Sequence, residues 1–176
     1  MYGYNPYPNP HYSYAQFYNP YNYSYPAWAQ QIYQNNSQFI ELKDYGPNPF
    51  VVNIEDATKQ NNNFRTALWT GKHFQLTLMS LNVGEDIGLE MHPDVDQFIR
   101  IEEGQGLVVM GDSQDRLNFQ RRIFDDYIIV IPAGKWHNLF NTGTTPLKLY
   151  SIYAPPEHPK GTVHRTKQDA ESQHRQ

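Results

Sequence analysis

Short apolar runs alternate with turn-forming residues from Phe50 onward. Runs rich in Val, Ile, Leu, Phe and Thr predict β-strands, at Phe50–Ile54, Phe74–Asn82, Gly88–Met91, Gln97–Glu102, Gly106–Met110, Leu117–Ile123, Tyr127–Ile131, Trp136–Phe140 and Leu147–Tyr153. Only Glu55–Phe64 and the segment from Thr166 look helical. Many short strands separated by glycine-marked turns such as EEGQG and PAGKW predict an all-β sandwich or barrel.

The first forty residues differ in composition from the rest of the chain. They repeat Tyr, Pro and Asn, contain no Lys, Arg, Asp or Glu, and include too few aliphatic residues to form a core. We therefore predict a disordered tail over residues 1–38, a β-barrel domain over 39–167 and a flexible C-terminal tail over 168–176. The N-terminal tail is either without a specific role or a tyrosine-rich segment that mediates assembly in a coat-like layer.

The charge and the absence of cysteine exclude several classes of partner and ligand. The net charge is -4, the pI is about 5.9, and no basic stripe occurs, so we expect neither nucleic acid nor an anionic membrane as partner. Without cysteine, a metal ion must be held by His, carboxylate or amide oxygen. The N-terminus does not resemble a signal peptide, and no run approaches a membrane span of roughly 20 apolar residues. We expect a cytoplasmic protein, with a spore coat as the alternative.

Four polar residues are spaced so that they can converge. Glu90 and His92 stand two residues apart and share one face of a strand. Gln97 opens the next predicted strand, and His137 follows the turn Pro132-Ala133-Gly134. Two imidazoles, one carboxylate and one amide oxygen suit a divalent ion such as Mn, Fe, Zn, Ni or Co.

Two segments resemble the paired motifs of the cupin superfamily. GEDIGLEMHPDVDQFIRIEEGQG is similar to G(X)5HXH(X)3,4E(X)6G, and DYIIVIPAGKWHNLFN is similar to G(X)5PXG(X)2H(X)3N. The aligned positions of the first motif are Gly84, Glu90, His92, Gln97 and Gly104, and those of the second are Asp126, Pro132, Gly134, His137 and Asn141. The spacing matches throughout, whereas Glu90, Gln97 and Asp126 depart from the motif residues.

The resemblance covers roughly Phe50 to Lys167 and is greatest to small bacterial cupins that resemble mannose-6-phosphate isomerase. It implies a jelly-roll β-barrel with a metal ion at its mouth, usually in a homodimer. Glu90 in place of a histidine adds one negative charge, and Gln97 in place of the glutamate removes one, so the ligand set keeps a charge of -1. Glu90 is therefore interpreted as a ligand, or alternatively as a catalytic general base beside a metal held by the other three residues.

Three functions are compatible with these features. The first is a metal-binding cupin that acts on a sugar or other small polar substrate, with isomerase-like proton transfer at a metal-polarised carbonyl. The second is a non-catalytic sugar-binding or assembly module of a spore-coat-like layer. The third is an Fe-dependent dioxygenase.

Several other residues receive structural predictions. His158 and His164 are expected at the surface, and Asn141 is expected to satisfy turn backbone. Trp136 is either a wall of the pocket mouth or a core anchor. One of Tyr150 and Tyr153 should face the barrel interior.

Overall fold

The computed structural model describes residues 39–173, which form two β-sheets and two short helices. In chain order the elements are α1 (Ile54–Gln60), β1 (Arg65–Thr70), β2 (Gln75–Leu81), β3 (Asp96–Glu103), β4 (Gln105–Gly111), β5 (Phe119–Phe124), β6 (Ile128–Ile131), β7 (Trp136–Asn141), β8 (Leu147–Ala154), β9 (Val163–His164) and α2 (Lys167–Gln173). The predicted tail over residues 1–38 lies outside the described residues.

The strands form one large and one small antiparallel sheet. The order is β6-β3-β8-β2-β1-β9 in the six-stranded sheet and β5-β4-β7 in the other. One core contains buried residues from both sheets, including Ile99 and Leu149 from the first and Val108 and Leu139 from the second. Each such side chain contributes about 2 kcal/mol by its burial. The predicted all-β jelly-roll fold is confirmed.

A smaller apolar cluster, formed around Ala57, Leu68 and Leu78, packs α1 against the larger sheet. Phe50 and Val52 pack against it from a segment that has no strand partner, so the predicted strand Phe50–Ile54 is wrong. Its alternating apolar side chains pack onto the cluster instead of entering a sheet.

The helix α1 begins where its first backbone N–H groups find a cap. The Asn53 side chain accepts a hydrogen bond from the Asp56 backbone N–H at 3.3 Å. The helix was predicted to reach Phe64 but ends at Gln60, because Asn61 adopts an extended backbone.

Three further strands differ from the sequence prediction. Arg65–Thr70 forms β1 and Val163–His164 forms β9, neither of which was predicted. Gly88–Met91 forms only an isolated bridge between Glu90 and His137. Gly88 has a φ of 92°, a backbone conformation outside the strand region, so a regular strand does not begin there.

The segment from Thr166 is helical as predicted, but the assignment of residues 168–173 to a flexible tail requires correction. They belong to α2, whose Ala170 is buried in the main core. Lys167 forms an ion pair with Asp86, and the Asp169 carboxylate accepts hydrogen bonds from the backbone N–H groups of Arg165 and Thr166 at 2.9 and 3.0 Å. Residues 174–176 lie outside the described part of the chain. Neither helix within residues 39–173 is long and apolar enough to cross a membrane.

Candidate metal centre

Three of the four predicted ligands converge at one point. The Glu90 Oε1 atom lies 3.5 Å from His92 Nε2 and 3.4 Å from His137 Nε2. One ligand atom from each residue lies within 4.8 Å of the others. The backbone fixes this arrangement, since Glu90 and His137 exchange two hydrogen bonds of 3.0 and 2.9 Å, and the His92 carbonyl accepts one from Gly134 N–H at 2.7 Å.

The converging atoms are buried and, apart from the 3.5 and 3.4 Å contacts of Glu90 with the two imidazoles, have no hydrogen-bond partner. Within residues 39–173 this holds for Glu90 Oε1, His92 Nε2 and His137 Nε2. A buried polar atom without a partner costs about 1–3 kcal/mol, so three of them facing one another need a compensating ligand. Two imidazole nitrogens and a carboxylate oxygen fit a divalent transition-metal ion.

Each imidazole is oriented through its other nitrogen. His137 Nδ1 lies 2.9 Å from the Lys135 carbonyl oxygen, and His92 Nδ1 lies 3.2 Å from Glu157 Oε1. An Nδ1–H that donates to these oxygens leaves the lone pair on Nε2. Outer partners of this kind are the usual support for histidines that bind metals.

The charge state of Glu90 favours its interpretation as a ligand. Burial alone would raise the pKa of this carboxyl, but the nearby imidazoles of His137 and His92 and the positive charge of Arg65 outweigh burial and lower its pKa. A carboxylate with a lowered pKa is a weak general base. Burial lowers the pKa of His92, but Glu90 and Glu157 raise it by more.

The Gln97 side chain has an oxygen atom that is available as a fourth metal ligand. Its side chain is 2% exposed, and its Nε2 donates a hydrogen bond to Ser151 Oγ at 3.0 Å. The Oε1 atom is buried without a partner in the described part of the chain. Gln97 pairs with Tyr153 across β3 and β8, and the Tyr153 ring meets the His92 ring edge-on at 5.8 Å. Gln97 as a metal ligand stays a prediction.

A cavity of about 590 Å³ opens beside the three converging residues. Glu90, His92 and Trp136 line it, so Trp136 is a wall of the pocket. Arg65 and Glu157 also line it, and the sequence analysis identified neither. Both lie outside the motif residues, and no local spacing connects either of them with the metal ligands.

The histidines near the C-terminus are buried, which corrects their predicted surface position. His158 is 9% exposed and His164 3%. Gln75 anchors the His158 backbone by accepting from its N–H at 3.0 Å and donating to its carbonyl at 2.9 Å. Burial, assisted by the charge of Arg65, lowers the pKa of His158 to about 2.

Two of the other structural predictions are confirmed. Tyr153 is fully buried, whereas Tyr150 is only partly buried. The Asn141 side chain donates to the carbonyls of Leu81 and Thr145 at 3.0 and 2.8 Å and accepts from Gly143 N–H at 2.9 Å. Its amide therefore satisfies backbone groups and has no role as a ligand.

Comparison of the sequence and the fold with known proteins identifies a matching family and several similar proteins. Residues 77–153 match the Cupin domain family. The uncharacterized protein YrkC of Bacillus subtilis strain 168 is 76% identical over 129 residues, which cover 73% of this chain and 69% of YrkC. An uncharacterized protein of Acanthamoeba polyphaga mimivirus is 44% identical over 115 residues, which cover 65% of this chain and 70% of that protein. The crystal structure of BH2720 from Bacillus halodurans has 68% sequence identity and a TM-score of 0.74, covering 74% of this chain and 98% of the other.

Proposed function

This chain belongs to the cupin superfamily, and we propose that it is a metal-dependent enzyme acting on a small oxygen-bearing substrate such as a sugar. The proposed reaction is isomerase-like proton transfer between neighbouring carbons. One observation carries the proposal: the buried, unpartnered atoms Glu90 Oε1, His92 Nε2 and His137 Nε2 face one another beside a cavity.

We assign Glu90, His92 and His137 as the residues that hold the ion, with Gln97 Oε1 as the fourth donor. A bound divalent ion supplies Lewis acidity toward a carbonyl or hydroxyl oxygen of the substrate. Glu90 contributes the negative charge of the ligand set, and its lowered pKa keeps it ionised.

The remaining cavity residues position the substrate and exchange its proton. Glu157 and Glu171 both line the cavity, but only Glu157 is partly buried and contacts His92, so we assign it to accept a proton once Glu90 serves as ligand. Leu89 and Trp136 supply apolar surface that excludes water from the reacting atoms. The homodimer, the assembly role of residues 1–38 and the location in the cytoplasm or a spore coat stay predictions.

Metal analysis of the purified protein tests the first half of the proposal. We expect about one divalent ion per chain in the wild type and none in a His92→Ala, His137→Ala double variant. His73→Ala is the matched control, because His73 is exposed and lies outside the site. Wild-type protein that takes up no stoichiometric divalent ion during dialysis would contradict the proposal.

Proton exchange tests the second half. Metal-loaded protein is incubated with a panel of aldoses and ketoses in deuterated water, and exchange of carbon-bound hydrogen is followed by NMR. We expect exchange next to the carbonyl of the substrate, and its loss in Glu157→Gln at metal concentrations that saturate the site, because losing this partner of His92 also weakens metal binding. Metal-loaded protein that exchanges no hydrogen in any sugar would limit the proposal to metal binding.

A further inference from the structure

The cavity contains a buried guanidinium group whose charge acts on Glu90 but which makes no direct ion pair with the residues that the structure describes. Arg65 opens β1, is 2% exposed and lines the same cavity as Glu90 and His92. No carboxylate of residues 39–173 forms an ion pair with it. Its contacts include His164 Nδ1, 3.5 Å from Nη1, and the Phe64 ring, whose centroid is 5.6 Å from the guanidinium carbon.

The arginine has unused capacity for hydrogen bonding. Its Nε is buried and has no partner among the described residues. A guanidinium stays protonated in proteins, so burial cannot be relieved by loss of the proton. A buried charge is usually paired, and the fork of N–H donors matches a carboxylate in geometry and charge.

The charges around the cavity also favour an anion. A divalent ion and Arg65 together outweigh the carboxylates of Glu90 and Glu157 by one positive charge. Lys167 adds no net charge, because it is paired with Asp86. Glu171 stands at the rim and is exposed, so water screens its charge. A single negative charge on the substrate would neutralise the loaded cavity.

The lining narrows the chemical class of the anion. Apart from the groups already described, the walls are mainly apolar and include Phe64, Ile87, Leu89, Met91 and Ala170. A phosphate dianion is usually held by several cationic or backbone donors, whereas this cavity offers one unpaired cation among the described residues. We propose that the substrate is a small monocarboxylic acid with an apolar body, whose carboxylate docks on Arg65. This inference rests on the proposed function and narrows its small oxygen-bearing substrate to a carboxylic acid.

Binding of matched probes tests the inference. The probes are 2-oxobutyrate, its neutral amide 2-oxobutanamide, inorganic phosphate and glucose. Calorimetry gives the dissociation constants for metal-loaded protein, and the thermal midpoint shift is measured for both loaded and metal-free protein. We expect the acid to bind at least about tenfold more tightly than the amide, because only the acid forms a charge-assisted pair with Arg65.

Two substitutions test whether the preference for acid over amide depends on Arg65. Arg65→Met keeps much of the side-chain volume but removes the charge, so we expect it to abolish the preference for acid over amide. Its metal affinity should be equal to or higher than that of the wild type, because a nearby positive charge is gone. Arg65→Lys keeps the charge without the fork, and we expect an intermediate preference.

The outcomes separate this inference from the proposed function. Wild-type protein that prefers phosphate or glucose, or does not distinguish acid from amide, overturns the carboxylate inference whether or not Arg65→Met folds. Retention of the full preference in folded Arg65→Met overturns the role of Arg65. Failure to bind metal overturns the proposed function together with the inference that rests on it, whereas metal binding without a preference for acid over amide overturns the inference alone.

Discussion

The two ends of β7 place buried polar side chains in opposite situations. At the site end of the barrel, defined by Gln97 and His137, the His137 Nε2 and Gln97 Oε1 atoms have no partner within the described chain. At the turn end, defined by Gly104, Asp126 and Asn141, the amide of Asn141 makes three hydrogen bonds.

On one strand, this difference separates a polar side chain that stabilises the fold from polar side chains that bind a ligand. A saturated buried amide stabilises the turns that it joins, whereas unsatisfied buried atoms reduce stability unless a ligand completes them. The site end should therefore respond mainly in ligand binding, and the turn end mainly in the free energy of unfolding.

The largest expected effect comes from removing one polar side chain at each end. His137→Ala should lower metal affinity by more than about 100-fold, since loss of an outer partner alone typically costs 10–100-fold. Asn141→Ala should destabilise the fold by about 3 kcal/mol, because it leaves several buried backbone groups unpaired. Metal titration and urea unfolding of both variants measure the two effects. A large loss of metal affinity in folded Asn141→Ala would remove the distinction between the ends.

The charge exchange at the site end gives the next effect. Glu90→His removes the negative charge of the ligand set and should weaken metal binding by about tenfold or more. Adding Gln97→Glu restores the charge and should recover most of the affinity, as measured by competition with a chelator. Gln97→Glu alone is the control for the added carboxylate. Compensation is refuted if the double variant binds metal no better than either single variant.

The next effect is a loss of folding stability at low pH that is caused by His158, which packs on Tyr153 at the site end. Its pKa is about 2 in the folded protein, against about 6.5 when unfolded. The unfolded chain therefore binds the extra proton as the pH falls below about 6.5, and stability falls by about 1.4 kcal/mol per pH unit down to the folded pKa. His158→Gln should remove this contribution, about 2 kcal/mol at pH 5. If the free energies of urea unfolding of wild type and variant change in parallel between pH 4.5 and 7, His158 makes no such contribution to the pH dependence.

The smallest expected effect lies at the turn end. Asp126 occupies the glycine position of the second motif and has a φ of 68°, in the left-handed region. Asp126→Gly should change stability by less than about 0.5 kcal/mol, whereas Asp126→Val should destabilise by about 1–2 kcal/mol. Both variants lose the exposed contact with Arg100, so their difference in thermal unfolding isolates the backbone effect. Equal midpoints would show that the turn tolerates a branched side chain.

Regular alternation and motif spacing were sufficient to predict most strands of the main core and the three converging residues, but not β1. In β6, for example, Ile129 and Ile131 are buried while Ile128 and Val130 are exposed. The same alternation wrongly predicted a strand at Phe50–Ile54, because the local pattern of residues does not reveal whether a partner strand is present. Arg65 was missed for a related reason, since its burial depends on distant segments.

Trp136 provides an optical signal for the site, because it is the cavity wall next to the converging residues. The chain contains three tryptophans; Trp69 stacks on Phe74 and belongs to a different pocket lining. Replacing Trp28 and Trp69 with Phe leaves a single tryptophan, whose selectively excited fluorescence a paramagnetic ion such as Mn²⁺ would quench. Occupancy of the centre can then be followed in real time without a dye or a known substrate.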